Sequence, residues 1–378
     1  MNKIAGIALL LAVTALATAL SNPQFLSATN LENLFQRTAL FGILSVGAAL
    51  VILVGGIDLS IGSLVGLSAC LLARWVTDFG WSPPMAVLAV LGLCAGLGLI
   101  HGVLVVRAGM QPFVVTLCGL LIYRGVARWW TEDRVLGFGQ GEHDSLRALA
   151  TSAPLSAPTL IALAGGAALI LVRFASERAT RRTLQVSGCL LLGLALVEWT
   201  VGLPLYSRGE PATLSDVEVR APFLILLGLA LATALFLERT VPGRHLYAIG
   251  QNARAAHYCG LPVERLTIGA YVACATCAGL GGVLFALHLN VVQPSAFGNF
   301  YELYAIAAAV LGGFSLRGGE GRILGVLVGA ALIRVLYNSI NLLGIPTQLE
   351  FAIIGTVLLL GVLADELLRR GLRRGRAG

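Results

Sequence analysis

Residues 38–73 read TALFGILSVGAALVILVGGIDLSIGSLVGLSACLLA. Two apolar runs, 38–54 and 57–73, stand either side of Gly55-Gly56, and Asp58 is the single charged residue in the stretch. Each run comes close to the ~20 residues that a helix needs to cross the hydrocarbon core of a bilayer. The runs are continuous, without the period-two alternation of a transmembrane barrel strand. Backbone groups in lipid have no water to bond, so such runs must be helical.

The same signature recurs along the chain of 378 residues, which is 57% hydrophobic and only 12% charged, with mean hydropathy +0.86. Soluble domains carry roughly 25% charged residues, and no soluble fold hides this much apolar surface. Apolar runs and their breakers predict spans at 4–20, 38–54, 57–73, 85–106, 112–130, 158–172, 183–203, 221–238, 264–287, a short one at 301–313, 321–343 and 350–367. The fold class is therefore an all-α polytopic membrane protein of about 12 transmembrane or re-entrant helices. The 46 glycines suit the close helix packing found in lipid. The segments between spans are too short to bury an independent core, so residues 1–378 form one transmembrane domain.

With the N-terminus inside, the inner segments collect 17 basic residues, including Arg244, Arg254, Arg265 and the five arginines of the basic tail 368–378, against six outside. The positive-inside rule then sets both termini in the cytoplasm. The first run also has the makings of a signal peptide, with Lys3 ahead of an apolar stretch and small residues from Ala15 to Ala19. Its full-span length favours a retained helix. Arg124, Arg128 and Arg334 fall within or near spans, where snorkelling to headgroups is expected. The net charge of +7 is accounted for by topology, not by nucleic acid.

Several chemistries are excluded. Lys3 is the one lysine, so no phosphate-binding Walker loop exists. If ATP drives this protein, another chain binds it. The five histidines show no H-E-x-x-H spacing for a metalloprotease, and no metal site is expected. Carboxylates inside spans are sparse, with Asp58, Glu198, Glu302 and Glu350 at or near span ends, which argues against a proton-driven carrier. Cys274 and Cys277 lie in an Ala/Gly-rich span and read as small packing residues.

Three stretches carry information. In Gly55-Gly56-Ile57-Asp58-Leu59-Ser60 two glycines break a helix and Asp58 stands at a natural N-cap position. Unwound backbone at membrane depth either caps a buried break or lines a solute path. In the loop 243–262, the middle, about 252–259, is expected as a short helix ended by Gly260 and Pro262. It reads either as a knob that docks on a partner or as an interfacial loop whose arginines meet lipid phosphates. The block Tyr301–Arg322 couples a short apolar run to Gly312, Gly313, Gly318 and Gly319, the pattern of a half-helix and re-entrant turn.

Together these stretches resemble the permease subunits of ribose/xylose-type ABC importers, a group that includes branched-chain amino-acid and nucleoside permeases. The similarity covers most of 38–367. The family's glycine-Asp turn is similar to Gly55–Ser60 and its glycine-rich block to Tyr301–Arg322 followed by Asn338, Asn341 and Gly344. Its coupling motif E-A-A-x-x-x-G is similar to Arg254-Ala255-Ala256-His257-Tyr258-Cys259-Gly260, with Arg254 in place of the acid. The resemblance implies the ABC importer permease fold, with 158–203 as an inserted helix pair relative to ten-span relatives. It implies no enzyme activity and no cofactor. ATP would sit on a partner ATPase subunit, with a periplasmic or extracellular sugar-binding protein and a second permease copy as further partners in a bacterial inner membrane. A pentose such as xylose or ribose is the implied solute, a nucleoside or branched-chain amino acid the alternative within the family, and an ion-coupled carrier the alternative outside it. A neutral polyol needs hydrogen-bonding groups on its path, which singles out Asp58, Ser60, Gln111, Asn338 and Asn341. Each equally reads as a helix cap or an interhelical bond. Gly55, Gly56, Gly312, Gly313, Gly318 and Gly319 are the expected hinges.

Overall fold

The computed structural model describes residues 3–139, 141, 143–171, 178–207 and 212–374. Part of the arginine-rich turn 173–182 and the last residues of the basic tail lie outside them. Among the described residues the chain forms fifteen α-helices, four two-residue strands and a few 3₁₀ turns. Seven of the helices are long and apolar enough to cross a membrane.

The centre is α2 (Ala28–Leu53), in which every residue from Ala39 to Leu53 is buried. It begins ten residues ahead of the expected span because Ser27 caps it, accepting from the Asn30 amide at 3.4 Å. At ~1.5 Å per residue the helix outruns a bilayer core, and its first three turns, bearing Asn30, Asn33 and Arg37, are polar. Around it pack α9 (Ala221–Arg239), α12 (Val263–Leu289), α13 (Tyr301–Leu311) and α14 (Ile323–Leu342). Beyond α12 lie α3 (Ile61–Thr77), α4 (Pro83–Val106) and α5 (Pro112–Thr131). Most of α4, α5 and α9 is apolar on all sides, with Leu88, Leu121 and Leu231 exposed, as a lipid-facing helix must be.

Small residues set the interhelical distances. Gly47 of α2 stands against Cys274 and Cys277, both free thiols buried in the core. Gly98 of α4 lies against the backbone of α12, where an added Cβ would come within 2.6 Å of the Tyr271 carbonyl and 2.8 Å of Ala275. Peripheral helices follow. α1 (Lys3–Ser21) is tied to α14 by a 2.6 Å bond between the Thr18 and Ser339 hydroxyls and a 2.8 Å bond from Asn22 to the Leu342 carbonyl. α15 (Glu350–Arg374) meets α13 by the Tyr304 hydroxyl, which donates to Glu350 at 2.6 Å. α7 (Ala157–Leu171) and α8 (Arg178–Val201) pack mainly on each other.

One end of the bundle is closed by a cap made of α6 (Asp144–Thr151), the strand pair β1 (Leu155–Ser156) with β4 (Glu218–Val219), the pair β2 (Pro204–Leu205) with β3 (Ala212–Thr213), and a bridge between Leu136 and Val292. Glu198, one of the sparse carboxylates considered as an ion relay, is 2% exposed. Its two oxygens accept from the amides of Leu203 and Ser215 and from the Ser215 hydroxyl at 2.5–2.9 Å. It clasps the cap to α8. Arg128, at the cap end of α5, pairs with Asp133 at 2.6 Å, and that hydrogen bond holds the Asp133 carboxyl below the usual carboxylate range.

At the other end two short helices, α10 (Val241–Gln251) and α11 (Ala253–Tyr258), occupy the loop between α9 and α12. The shorter matches the expected 252–259 helix, while α10 is new. Thr240 caps it with a 3.1 Å bond from Gly243, and Pro242 sits in its first turn, where a proline is tolerated.

The same substitution at two positions of α4 separates packing from propensity. Gly→Ala favours a helix by about 1 kcal/mol, but overpacking costs about 1–3 kcal/mol. Gly98→Ala is therefore expected to lower the melting temperature in detergent, while Gly92→Ala, with nothing within 4 Å of its added carbon, leaves it unchanged or raised.

Candidate functional site

The three informative stretches meet in space at the end opposite the cap. The last carbonyl of α2, on Leu53, accepts from the Gly319 amide at 2.8 Å. Gln251 of α10 donates to the Gly319 carbonyl at 3.1 Å, and the Tyr247 hydroxyl donates to Gly321 at 3.0 Å. Burial pushes the Tyr247 phenol above its ordinary value, so it remains a donor. Gly318 takes φ +86°, and a Cβ there would stand 2.9 Å from both the Gly250 carbonyl and the Gly55 amide. A Cβ on Gly250 would collide with the Leu53 carbonyl and the Gly319 backbone. Only glycine allows three chain segments to pass this closely.

From this junction α10 leads into α11 through a single residue, Asn252, whose extended backbone ends one helix and whose side chain accepts from the Ala255 amide at 3.0 Å to start the next. Gly260, at φ +77°, closes α11, helped by a 3.1 Å bond from the Leu261 amide to the Ala256 carbonyl. Ala256 is buried, while Arg254, Ala255 and Gly260 are exposed and Tyr258 is 87% exposed. α11 is thus a projecting knob whose base is braced on the glycine junction.

Beyond Gly55 and Gly56 the chain runs extended to Ser60 before α3 begins. Asp58 was expected at the N-cap. That place belongs to Ser60, and the Asp58 carboxylate instead accepts from the Ser60 amide at 2.8 Å and its hydroxyl at 2.6 Å. This Asx turn bends the chain one step ahead of the helix. Asp58 is 2% exposed, and among the described residues no hydrogen bond of ordinary geometry reaches its second oxygen. The turn at 293–300 packs on the first two turns of α3, with Phe297 and Gly298 against Gly66 and Gly62, and Glu302 of α13 is buried beside Gly62. Two short helices of 17 and 11 residues therefore carry a buried carboxylate near each start, where the helix dipole favours negative charge. Gly312 ends α13 against the Gly325 backbone, and Gly313 takes φ +93°.

A cavity of about 300 Å³ opens between the first turns of α2 and the last turns of α14. Asn30, Arg37, Arg334, Tyr337, Asn338 and Asn341 line it. The Asn30 and Asn338 amides bond reciprocally at 2.6 and 3.2 Å, and Asn341 donates to the Tyr337 carbonyl at 2.8 Å. Arg334 corrects the snorkelling expectation. It is 3% exposed, with its guanidinium carbon 3.9 Å from the ring centre of Phe41, 4.8 Å from Tyr304 and 5.2 Å from Tyr337. Among the described residues its Nε and Nη2 have no acceptor. A desolvated cation–π contact gives about 2 kcal/mol, comparable with the ~2.5–3.5 kcal/mol cost of an arginine at mid-helix in a membrane. Two unmet donors add about 1–3 kcal/mol each. The aromatic cage offsets the charge and leaves the hydrogen bonds owing.

The path candidates thus fall in three places. Asp58 and Ser60 are in the buried break, Asn338 and Asn341 in the cavity, and Gln111 at the exposed start of α5; the fold does not bring the three together. Asn30 and Arg37 were missed because they precede the apolar run of α2. Tyr337, three residues from Arg334 and so on the same helix face, was the one available sign that this arginine has aromatic company.

Comparison with known proteins finds transport permeases along nearly the whole chain. The ribose import permease protein RbsC of Escherichia coli K12 is 32% identical over 358 residues, covering 94% of this chain and 91% of that protein. The xylose transport system permease protein XylH of the same strain is 32% identical over 377 residues, covering 96% and 91%. RbsC of Bacillus subtilis strain 168 is 31% identical over 355 residues, covering 94% and 90%. No solved structure matches the chain. The family described as branched-chain amino acid transport system / permease component matches residues 30–362. With nearly its whole length matched by the family and by permeases of this kind, the chain belongs to that family of transport permease components.

Proposed function

We propose that this chain is the membrane permease subunit of an ATP-driven importer for a pentose-sized monosaccharide, xylose and ribose being the first solutes to test. The observation that carries the reading is the continuity from an exposed knob, α11, through one residue and one helix to the backbone junction where both helix breaks meet. A permease with no nucleotide site of its own needs such a handle.

In this reading the cap faces outward and receives the sugar from a binding protein. The α10–α11 end faces the cytoplasm and docks on the ATPase through Arg254, Ala255, Ala256 and Gly260. The positive-inside rule supports that assignment, as do the hydrogen bonds that join the last turn of α1 to the last turn of α14. Twelve membrane passes result, α13 being the shortest at 11 residues and α7–α8 an inserted pair at the periphery. ATP closure of the partner pushes α11, and α10 levers the junction at Leu53, Gly250 and Gly319. The breaks ahead of α3 and α14 then flex, Gly55, Gly56, Gly312, Gly313, Gly318 and Gly319 absorbing the change. Asp58 and Ser60 shape the inner break and Asn338 and Asn341 the outer mouth. The working unit is two permease copies with two ATPase subunits. Arg254 stands where the motif has an acid, so its docking partner on the ATPase is acidic.

Reconstituted alone in liposomes under an ion gradient, the permease is expected to be inert; uptake that needs no ATPase would establish an ion-coupled carrier instead. Two variants divide the handle into docking and transmission. Ala255→Lys, on the exposed face of the knob, is expected to abolish co-purification of the ATPase while the permease melts as wild type does. Gly250→Ala is expected to leave co-purification intact but to cut ATP-driven uptake about tenfold or more, since the added carbon forces the junction open at about 1–3 kcal/mol.

A further inference from the structure

The cavity between α2 and α14 has a chemistry that a neutral pentose does not use in full. Two guanidinium groups, Arg37 and Arg334, line it, and no carboxylate does. The acids close by are engaged elsewhere: Glu32 of α2 pairs with Arg220 at 3.8 Å and accepts from the Glu218 amide, and Glu350 accepts from the Tyr304 hydroxyl at 2.6 Å. Among the described residues Arg334 has no ion-pair partner, and two of its nitrogens have no acceptor although the side chain is almost wholly buried. An aromatic cage supplies a π surface for the charge but no oxygen. An oxygen-bearing occupant of the cavity answers that need.

We propose that this cavity is a solute subsite whose preferred occupant is a sugar acid: a pentose-sized polyol carrying a carboxylate. The amides of Asn30, Asn338 and Asn341 serve its hydroxyls as donors and acceptors, and the two arginines serve the carboxylate through charge-assisted hydrogen bonds. Arg37 is exposed at the rim and Arg334 buried at the wall, an order that draws an anion from water toward the deeper cation. The volume, about 300 Å³, is at the small end of the roughly 300–1,000 Å³ range of small-molecule sites and suits a single small solute. The inference rests on the sugar-permease reading and narrows its substrate.

The test is equilibrium binding to the full-length permease in lipid nanodiscs, using D-xylose, D-xylonate and acetate as probes, with leucine and adenosine as controls. D-xylonate is expected to bind about tenfold or more tighter than D-xylose, the scale of one added charge-assisted interaction, and acetate to bind far more weakly than D-xylonate. Arg334→Gln and Arg37→Gln are each expected to bring the xylonate-to-xylose preference toward unity. The rim variant keeps the test decisive if the buried one fails to fold. Equal binding of the two polyols, or a preference that both variants leave intact, overturns the subsite and leaves the sugar reading standing. Acetate binding as tightly as D-xylonate overturns the sugar-acid identity of the occupant. Binding of leucine or adenosine with neither polyol overturns the sugar reading itself.

Discussion

A helix that stops inside a membrane protein leaves carbonyls with no partner, and in lipid each such group costs several kcal/mol. At the end of α2 that debt falls on Leu53, and it is met from 266 residues further along the chain by the amide of Gly319. Everything at this end of the bundle follows from meeting it. The 312–322 turn must approach α2 backbone to backbone, so glycines, Gly318 and Gly319, stand at the contact. α10 must lie across the turn, so Gly250 has no side chain either, and Gln251 and Tyr247 secure the turn from the other side. The knob α11 is then held in a fixed relation to the breaks ahead of α3 and α14, although it touches neither.

The opposite end is built by a different means. There the chain has water within reach, and short strands, the Glu198 clasp and the Arg128–Asp133 pair close the loops. Between the two ends, small residues on α2, α4 and α12 let backbones approach within a core that is otherwise mostly Leu, Ile, Val and Phe, with dispersion replacing the hydrophobic drive that lipid removes. The middle of the bundle is thus held by packing and its two ends by hydrogen bonds.

Most of the fold was legible because lipid imposes a length. α4, α5, α9 and α12 begin within a residue or two of their expected starts, each near a proline that fits a first helical turn. The first ten residues of α2 were not, because they are polar and their helicity depends on the Ser27 cap. α10 was hidden in Val-Pro-Gly-Arg, which reads as a turn until the Thr240 cap is seen. The glycine motifs were recognisable singly, but nothing in their spacing says that Gly55, Gly250 and Gly318 touch. Candidate path residues chosen for polarity alone scattered, with Gln111 exposed and Asp58 engaged with Ser60. Arg334 misled because hydropathy treats every arginine near a span alike and carries no record of the rings around it.

The junction at Leu53, Gly250 and Gly319 contains no titratable group, since its closest approaches are amide to carbonyl and glycine to glycine. Salt bridges at such a place would stiffen or slacken with the acidity and ionic strength of the surrounding solution. Peptide groups do neither, so the closest approaches at this junction hold the same geometry at acid pH as at neutral pH.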